Sequence, residues 1–161
     1  ILSLIFTALI RTLIGLVPAI MLTSPLFGVS ILKLGLPLFL LFLSLYIFGI
    51  TLGLFVSAGL IRFGPSFENI AWSSLFLLAP LGCIYYPIEI LPNFFQMIAK
   101  GLPLVYIFDE TRNILLNGLI NYENLKYAYF LNIIYLSCGI GLFYLSFIKA
   151  RIKGTLINMG E

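Results

Sequence analysis

The chain has no histidine and few charged side chains: Asp, Glu, Lys and Arg make up 9% of its 161 residues. Soluble domains usually carry about a quarter charged residues. The absence of histidine removes the commonest metal ligand and the usual proton-transfer group. Because 61% of the residues are hydrophobic, and a chain of this size cannot hide that much apolar surface from water, we expect lipid to be its main solvent.

Cysteine is also scarce, and neither Cys83 nor Cys138 has a second cysteine at metal-ligand spacing. We interpret both as small buried apolar residues. The sequence contains neither a Gly-rich phosphate-binding loop nor a Gly-x-Ser-x-Gly nucleophile elbow, and no basic patch large enough for nucleic acid. It therefore predicts no catalytic residue, no cofactor, no metal site and no nucleic-acid partner.

Charged residues divide the chain into long apolar runs. Four uncharged stretches hold 20 to 28 residues each, and a membrane-spanning helix needs about 20. Barrel strands would alternate polar and apolar residues over about 10 positions, and no such alternation is visible. We therefore predict an all-α polytopic membrane protein with four transmembrane helices, at about 12–31, 36–60, 69–87 and 128–148.

The first ten residues, ILSLIFTALI, are apolar and have no basic segment before them. A secretory signal would need that basic start. We interpret these residues as the end of an earlier helix, and the sequence as the C-terminal part of a longer protein.

Positive residues close to the end of a span favour the cytoplasm. Lys149, Arg151 and Lys153 follow the last predicted span. Counting back through four spans then places residues 61–68 inside and residues 89–126 outside. The whole tally is five Lys or Arg inside against four outside, so the tail cluster decides the orientation, with a cytoplasmic C-terminus.

The segment after the third predicted span is too long for a tight turn and too often charged to cross a membrane. Short apolar runs of this kind are typical of interfacial or re-entrant pieces. Pro87 and Pro92 lack backbone donors and disfavour helix in the residues before them, so the third span should break near Tyr86–Pro92. We predict an extracellular re-entrant helical hairpin at about 88–120.

Two short helices are expected within that hairpin. The first is NFFQMIAKG, ended by Gly101, and the second runs from Pro103 to Gly118, because glycine suits a C-terminal cap. Gly101–Leu102–Pro103 is the predicted hinge, since hinges are a few residues that absorb backbone change.

Asp109 and Arg112 stand at i, i+3 in the second short helix, a spacing that allows an ion pair. The pair is either a solvated interfacial contact worth under about 1 kcal/mol or part of a gate at the outer mouth. Glu89 is a second possible partner of Arg112. Asp109 and Glu110 are adjacent and point about 100° apart on a helix, which argues against a catalytic dyad.

Gly49, Gly53 and Ser57 are small residues at four-residue intervals, a pattern that lets helices approach closely. We favour packing within the bundle over a contact between subunits. In RFGPSFEN, Gly64 and Pro65 form a turn on the proposed inner side, with Pro suited to the first position of a helix. This loop is either a short polar connector or a contact surface for a cytoplasmic partner.

The order of these pieces resembles one family. The connector IRFGPSFENIAW leads into a span that ends in APLGCIYYPIEILP, and GLPLVYIF and ETRNILLNG follow. This is similar to the C-terminal region of type-2 ABC transporter permeases, the membrane subunits of ATP-driven exporters, most specifically over about 62–118. Cys83 and Ile84 depart from the family pattern. The matching positions are Pro80, Gly82, Tyr86, Pro87, Leu91, Pro92, Pro103, Tyr106, Arg112 and Gly118.

The resemblance implies a six-span subunit whose last four spans are present here. It also implies a location in the plasma membrane, which we expect to be the inner membrane of a bacterium. It implies a homo- or heterodimeric permease with a cytoplasmic ATP-binding-cassette ATPase on each half. The candidate ATPase-contact residues are Arg62, Ser66 and Glu68. The candidate outer gate consists of Tyr86, Pro87, Pro92, Gly101, Pro103, Asp109 and Arg112.

Leu102–Pro103 stands where polysaccharide exporters of this family more often have Asn–Pro, so the resemblance favours a drug- or lipid-like substrate. Two other classes stay open. One is a membrane scaffold or assembly protein that transports nothing. The other is a secondary transporter, which would need ionisable residues near mid-membrane, and the four predicted spans contain none.

Overall fold

The structure is a computed structural model that describes residues 2–27, 35–118 and 120–153. These residues are helical throughout their regular parts, which confirms the predicted all-α class. The chain divides into two compact units, Ile1–Phe42 and Leu43–Glu161. The helices are α1 Leu2–Phe27, α2 Gly35–Phe63, α3 Phe67–Leu81, α4 Asn93–Ala99, α5 Pro103–Asn117 and α6 Tyr122–Lys153, with a 3-10 turn at Ile88–Ile90.

The position of helix α1 differs from the prediction for the first ten residues. They were expected to belong to an earlier helix, but α1 runs without interruption from Leu2 to Phe27. Arg11 does not break it, because its side chain is exposed on the helix surface. Residues 28–31 of the first predicted span, and Lys33, lie outside the described residues.

Two of the described helices are long and apolar enough to cross a membrane, judged by length and composition: Gly35–Phe63 and Tyr122–Ile152. The first matches the prediction of 36–60 closely. The second extends the prediction of 128–148 at both ends, because the charged residues that bounded the apolar run are part of the helix. Exposed apolar side chains such as Phe130 and Ile133 are suited to contact with lipid.

Helix α3 is shorter than expected. The predicted third span reached residue 87 and broke near Tyr86–Pro92, but the helix ends at Leu81. The cause lies before those prolines: Pro80 is in the last turn, and Cys83 adopts a left-handed conformation with φ 53°. Backbone bonds from Gly82 N–H to the Leu78 carbonyl and from Cys83 N–H to the Pro80 carbonyl close the helix end.

Helices α2 and α6 pack through a buried polar contact. Asn132 Nδ2 donates to both the carbonyl and the Oγ of Ser44, at 2.9 Å each, and both residues are fully buried. Nearby, the Phe48 and Tyr135 rings meet edge-on, with centroids 6.2 Å apart. Such bonds between helices fix their register in an apolar surrounding.

Candidate functional site

Where the outer hairpin was predicted, the chain between α3 and α6 forms a 3-10 turn and the two short helices α4 and α5. We keep the name outer hairpin for residues 82–121, of which residue 119 is not described. Its first part is a turn that α5 approaches closely. A Cβ placed on Gly82 would lie 2.8 Å from Leu104 Cδ1, so only glycine leaves room for α5 there. The Tyr86 hydroxyl donates back to the Pro80 carbonyl at 2.9 Å, which closes the turn.

Pro87 and Pro92 bracket the 3-10 turn, as their lack of N–H groups requires. Pro87, Leu91 and Pro92 are extended, with ψ near 150° at each. Gln96 Nε2 donates to the Leu91 carbonyl at 2.7 Å. The prolines therefore separate the 3-10 turn from α4, but they do not end α3.

The turn between α4 and α5 is held from two sides. Tyr135 on α6 donates its hydroxyl to the Gly101 carbonyl at 3.0 Å, and Tyr106 on α5 donates to the Lys100 carbonyl at 3.0 Å. Gly101 was expected to cap α4, but Lys100 is the C-cap, in right-handed geometry, and Gly101 does not have a positive φ. Pro103 opens α5 and is buried, so motion at the predicted hinge requires breaking these bonds.

Arg112 lies where α5 passes the end of α3. Its Nη1 donates to the Cys83 carbonyl at 2.8 Å, and its Nη2 lies 3.6 Å from Asp109 Oδ1. The predicted pairing with Asp109 is confirmed, and the bond to Cys83 is an addition that sequence spacing alone did not indicate. The bond satisfies the Cys83 carbonyl, two residues after Leu81 ends α3.

Glu110 is the site residue that the sequence analysis missed. Its side chain is 1% exposed, and its Oε1 accepts the backbone N–H of Asn121 at 2.6 Å, one residue before α6 begins. Its Oε2 accepts from Asn124 Nδ2 at 3.2 Å. The available signal was its position on the apolar stripe of α5, three residues after Ile107 and four before Ile114, both buried.

Asp109 and Glu110 reach the same donor although they are adjacent. Asn124 Nδ2 lies 3.4 Å from Asp109 Oδ2 as well as 3.2 Å from Glu110 Oε2. The shared Asn124 amide can bridge α5 and α6, and an amide group does not serve as a general acid or base. Among the described residues, no group of three or more His, Cys, Asp or Glu side chains comes together to hold a metal.

Burial also affects two side chains of this region that titrate at high pH. Burial raises the pKa of the Cys83 thiol; Arg112 lowers it, and Glu89 and Asp109 raise it further. Burial raises the pKa of Tyr106, with a smaller increase from Tyr127. The Tyr127 ring stacks on Tyr106 at 5.7 Å between centroids, so α5 and α6 are also in contact at this point.

The loop between α2 and α3 forms the expected turn at Gly64, whose φ is 78°. Pro65 was expected to be the first residue of the helix, but α3 begins at Phe67, and Ser66 lies between them. Glu68 lies in that first turn, and its Oε1 accepts from Trp72 Nε1 at 3.5 Å. Arg62 lies over the Phe63 ring, 5.4 Å from its centroid.

The small residues on α2 do not make the packing contacts that were expected within the bundle. A Cβ on Gly49 or Gly53 would meet no described atom within 4 Å, and the Ser57 hydroxyl donates to the Gly53 carbonyl of its own helix at 2.7 Å. Gly49 instead borders an apolar groove of about 250 Å³. Its lining residues are Leu45, Phe48, Gly49, Leu52, Leu75, Leu78, Ala79, Ile84 and Leu104.

Comparisons with protein-family models, with curated proteins and with solved structures give no match to this chain.

Proposed function

We propose that the chain is part of the permease subunit of an ATP-driven exporter. The observation that carries the proposal is the outer hairpin: a segment broken into short helices whose backbone ends are satisfied by Tyr86, Tyr106, Arg112 and Tyr135. Irregular backbone at membrane depth persists only where protein or water satisfies it. A simple surface loop does not need such internal bonding.

Four crossings with a re-entrant hairpin are part of this proposal. The 15 residues of α3 rise about 22 Å at 1.5 Å each, less than the roughly 30 Å of a bilayer core. The hairpin would occupy the remaining depth on the outer side. The basic residues at the end of α6 favour a cytoplasmic C-terminus, and the plasma membrane is the expected location.

A drug- or lipid-like substrate is favoured over a polysaccharide. The groove that borders Gly49 is lined by apolar residues throughout, and a glycan would find no hydrogen-bond partner on those side chains. The substrate would move outward by alternating access, driven by a partner ATPase that closes on ATP and shifts a two-state membrane dimer.

Two partners complete the proposed assembly. The loop that carries Arg62, Ser66 and Glu68 is exposed and would contact the cytoplasmic ATPase. The open face at Gly53 would meet a second permease subunit. Chemistry on ATP would then belong entirely to the ATPase chain.

The test is transport by the full-length protein together with an ABC ATPase that co-purifies with it. Both would be co-purified and reconstituted in vesicles. Fluorescent lipid, drug and glycan probes would be offered from the cytoplasmic side, with and without ATP. We expect ATP-dependent movement of an apolar probe, abolished when the ATPase carries an inactivating change in its phosphate-binding loop.

Three results would contradict the proposal. One is the absence of any ABC ATPase that co-purifies with the protein. Another is transport driven by an ion gradient without ATP, which would indicate a secondary transporter. The third is a stable complex with unrelated membrane proteins and no movement of any probe, which would indicate a scaffold.

A further inference from the structure

Helix α5 carries opposite charges that point to two different helix ends. Glu110 and Arg112 are two positions apart, so their side chains leave α5 about 200° apart. Arg112 donates to the Cys83 carbonyl just after α3 ends, and Glu110 accepts from the N–H of Asn121 just before α6 begins. A cation at a helix C-terminus and an anion at an N-terminus are both favoured by the helix dipole.

The two connections differ in their polar bonds. On the α6 side, Glu110 is 1% exposed and accepts two hydrogen bonds, from Asn121 and Asn124. The stacking of Tyr106 on Tyr127 and the bond from Tyr135 to Gly101 add to this contact, and α5 packs along α6. A buried, charge-assisted bond of 2.6 Å is costly to leave unmade.

On the α3 side, α5 meets the preceding turn through one polar bond among the described residues and through apolar packing, in which Val105 shares a buried cluster with Cys83. Arg112 makes the bond with a side chain that is 26% exposed, and its ion pair with Asp109 lies within α5 itself. The close contact of Gly82 with Leu104 adds packing but no polar bond. Water can replace the Arg112 bond when this boundary opens.

We infer that Glu110 is a positioning residue that fastens α5 to the start of α6, so that both helices move as one body. The outer boundary that opens is then the one between α5 and residues 82–86. Whether that opening serves export rests on the proposed function, whereas the fastening itself does not. The predicted hinge at Gly101–Leu102–Pro103 would stay closed, because Tyr135 on α6 holds it.

Hydrogen exchange tests the fastening without any transport assay. The full-length protein would be compared with Glu110→Ala and Glu110→Gln, reading the amide of Asn121 and the first turn of α6. Loss of a buried charged acceptor should speed exchange there by roughly tenfold or more in Glu110→Ala. Glu110→Gln keeps an acceptor oxygen and should show a smaller increase, which also covers the case in which the alanine variant fails to fold.

Glu123→Ala is the matched control. Glu123 also lies in the first turn of α6, but it is exposed and pairs with Lys126 on the surface at 2.8 Å. Its removal should leave exchange at Asn121 nearly unchanged. Equal acceleration in Glu110→Gln and Glu123→Ala, or none in either Glu110 variant, would overturn the inference.

Two cross-links would show which boundary opens during export. The first joins the native Cys83 to Val105→Cys in a Cys138→Ala background, because Cys83 and Val105 lie in one buried cluster. Oxidation should abolish ATP-driven export, and a reductant should restore it. The second is made in a background with Cys83→Ala and Cys138→Ala. Tyr106→Cys/Tyr127→Cys, joined by a short bifunctional thiol reagent, should leave export intact.

The outcomes separate the two ideas. Export that survives the first cross-link shows that the boundary between α5 and residues 82–86 does not need to open. Export that stops with the second shows that α5 moves relative to α6. Failure of the uncross-linked protein to export any probe counts against the proposed function alone, and hydrogen exchange at Asn121 still decides the role of Glu110.

Discussion

At the residue scale, the few charged side chains of the outer hairpin act at helix ends. An isolated charge in an apolar region is costly unless it is paired or hydrogen-bonded. Glu110 satisfies backbone at the start of α6, and Arg112 satisfies backbone after α3. Their retention in so apolar a chain therefore has a structural reason that is independent of catalysis.

Replacing Arg112 tests its connection to Cys83. Arg112→Ala removes a charged donor worth about 1.5–3 kcal/mol, while the half-exposed pair with Asp109 adds under about 1 kcal/mol. We expect membrane abundance to be largely kept and the export rate to fall more strongly. Arg112→Lys keeps the charge without the planar fork and should lie between the two.

Membrane abundance and export rate would be measured on the same membranes for both Arg112 variants and for Pro92→Ala. Unchanged export in Arg112→Ala and Pro92→Ala together would show the hairpin to be a surface cap.

Cys83 gives the outer turn a dependence on alkaline pH. Burial raises the pKa of its thiol above the ordinary value of 9.0, so the folded state holds the proton more tightly than the unfolded state. The contribution of the Cys83 thiol to the free energy of unfolding is complete when the pH is below its ordinary pKa. It is lost as the pH rises through that pKa toward the raised pKa of the folded state, by at most about 1.4 kcal/mol per pH unit.

Thermal unfolding in detergent would be followed from pH 7 to 11 for the wild type and Cys83→Ala. The wild type should lose more stability above about pH 9 than the variant does, and the two should run parallel below it. Parallel curves over the whole range would show that the thiol is not buried in the folded protein.

At the element scale, the sequence predicted helices better than helix ends. The charge-free runs located α2 and α6, because charge and hydropathy decide which segments avoid water. The end of α3 was predicted too late along the chain, because Pro87 and Pro92 are the breaks that the sequence shows. The left-handed turn at Cys83 comes earlier and depends on contact with α5. Long-range contacts of this kind leave no periodic signal.

The caps show the same limit. Glycine at the end of a short helix predicted a C-terminal cap at Gly118, and the structure confirms it, in a left-handed conformation with φ 67°. The same reasoning was wrong for Gly101, where the carbonyl of Ile98 lies 3.2 Å from the position of a Cβ. Glycine there is explained by space, which composition alone cannot distinguish from a cap.

Replacing Gly118 by alanine is therefore predicted to lower the thermal stability. A Cβ there meets no described atom within 4 Å, so the cost of Gly118→Ala is backbone strain of about 1–2 kcal/mol. Gly141→Ala is the matched control, because Gly141 has equally open space inside α6 and alanine favours helix by up to about 1 kcal/mol. Thermal stability should fall in the first variant and rise in the second. Equal shifts would contradict the left-handed cap.

At the scale of the whole molecule, the outer hairpin and the loop between α2 and α3 lie at opposite ends of α3. The hairpin begins directly after Leu81, and the loop with Ser66 comes directly before Phe67. If α3 crosses the membrane with its neighbours, a movement of the ATPase at the loop reaches the hairpin along one helix. The chain therefore offers a direct mechanical link between the proposed partner and the outer boundary.

Glu68→Lys tests the inner end of that link. The variant places a cation in the first turn of α3, which costs about 0.3–1 kcal/mol, and it reverses the charge offered to the ATPase. We expect a partial loss of substrate-stimulated ATPase activity at normal expression. Glu68→Gln is the control, since it keeps an acceptor for Trp72 and removes only the charge. Unchanged activity in Glu68→Lys would show the loop to be a connector.

The orientation of the whole molecule is the last prediction. Ser66 and Asn117 are both exposed in the structure, so each should react with a water-borne thiol reagent once it is on the accessible side. In a background with Cys83→Ala and Cys138→Ala, an impermeant reagent should label Asn117→Cys in intact cells and miss Ser66→Cys. Permeabilised cells should label both, which controls for local reactivity.

Each alternative pattern has one physical meaning. The reverse pattern would invert the protein and move the basic end of α6 outside, against the preference of positive residues for the cytoplasm. Labelling of both positions in intact cells would place the two ends of α3 on the same side. Because α3 rises only about 22 Å, that result would mean that α3 and the hairpin lie on the outer surface, and the proposed link to a cytoplasmic ATPase would be lost.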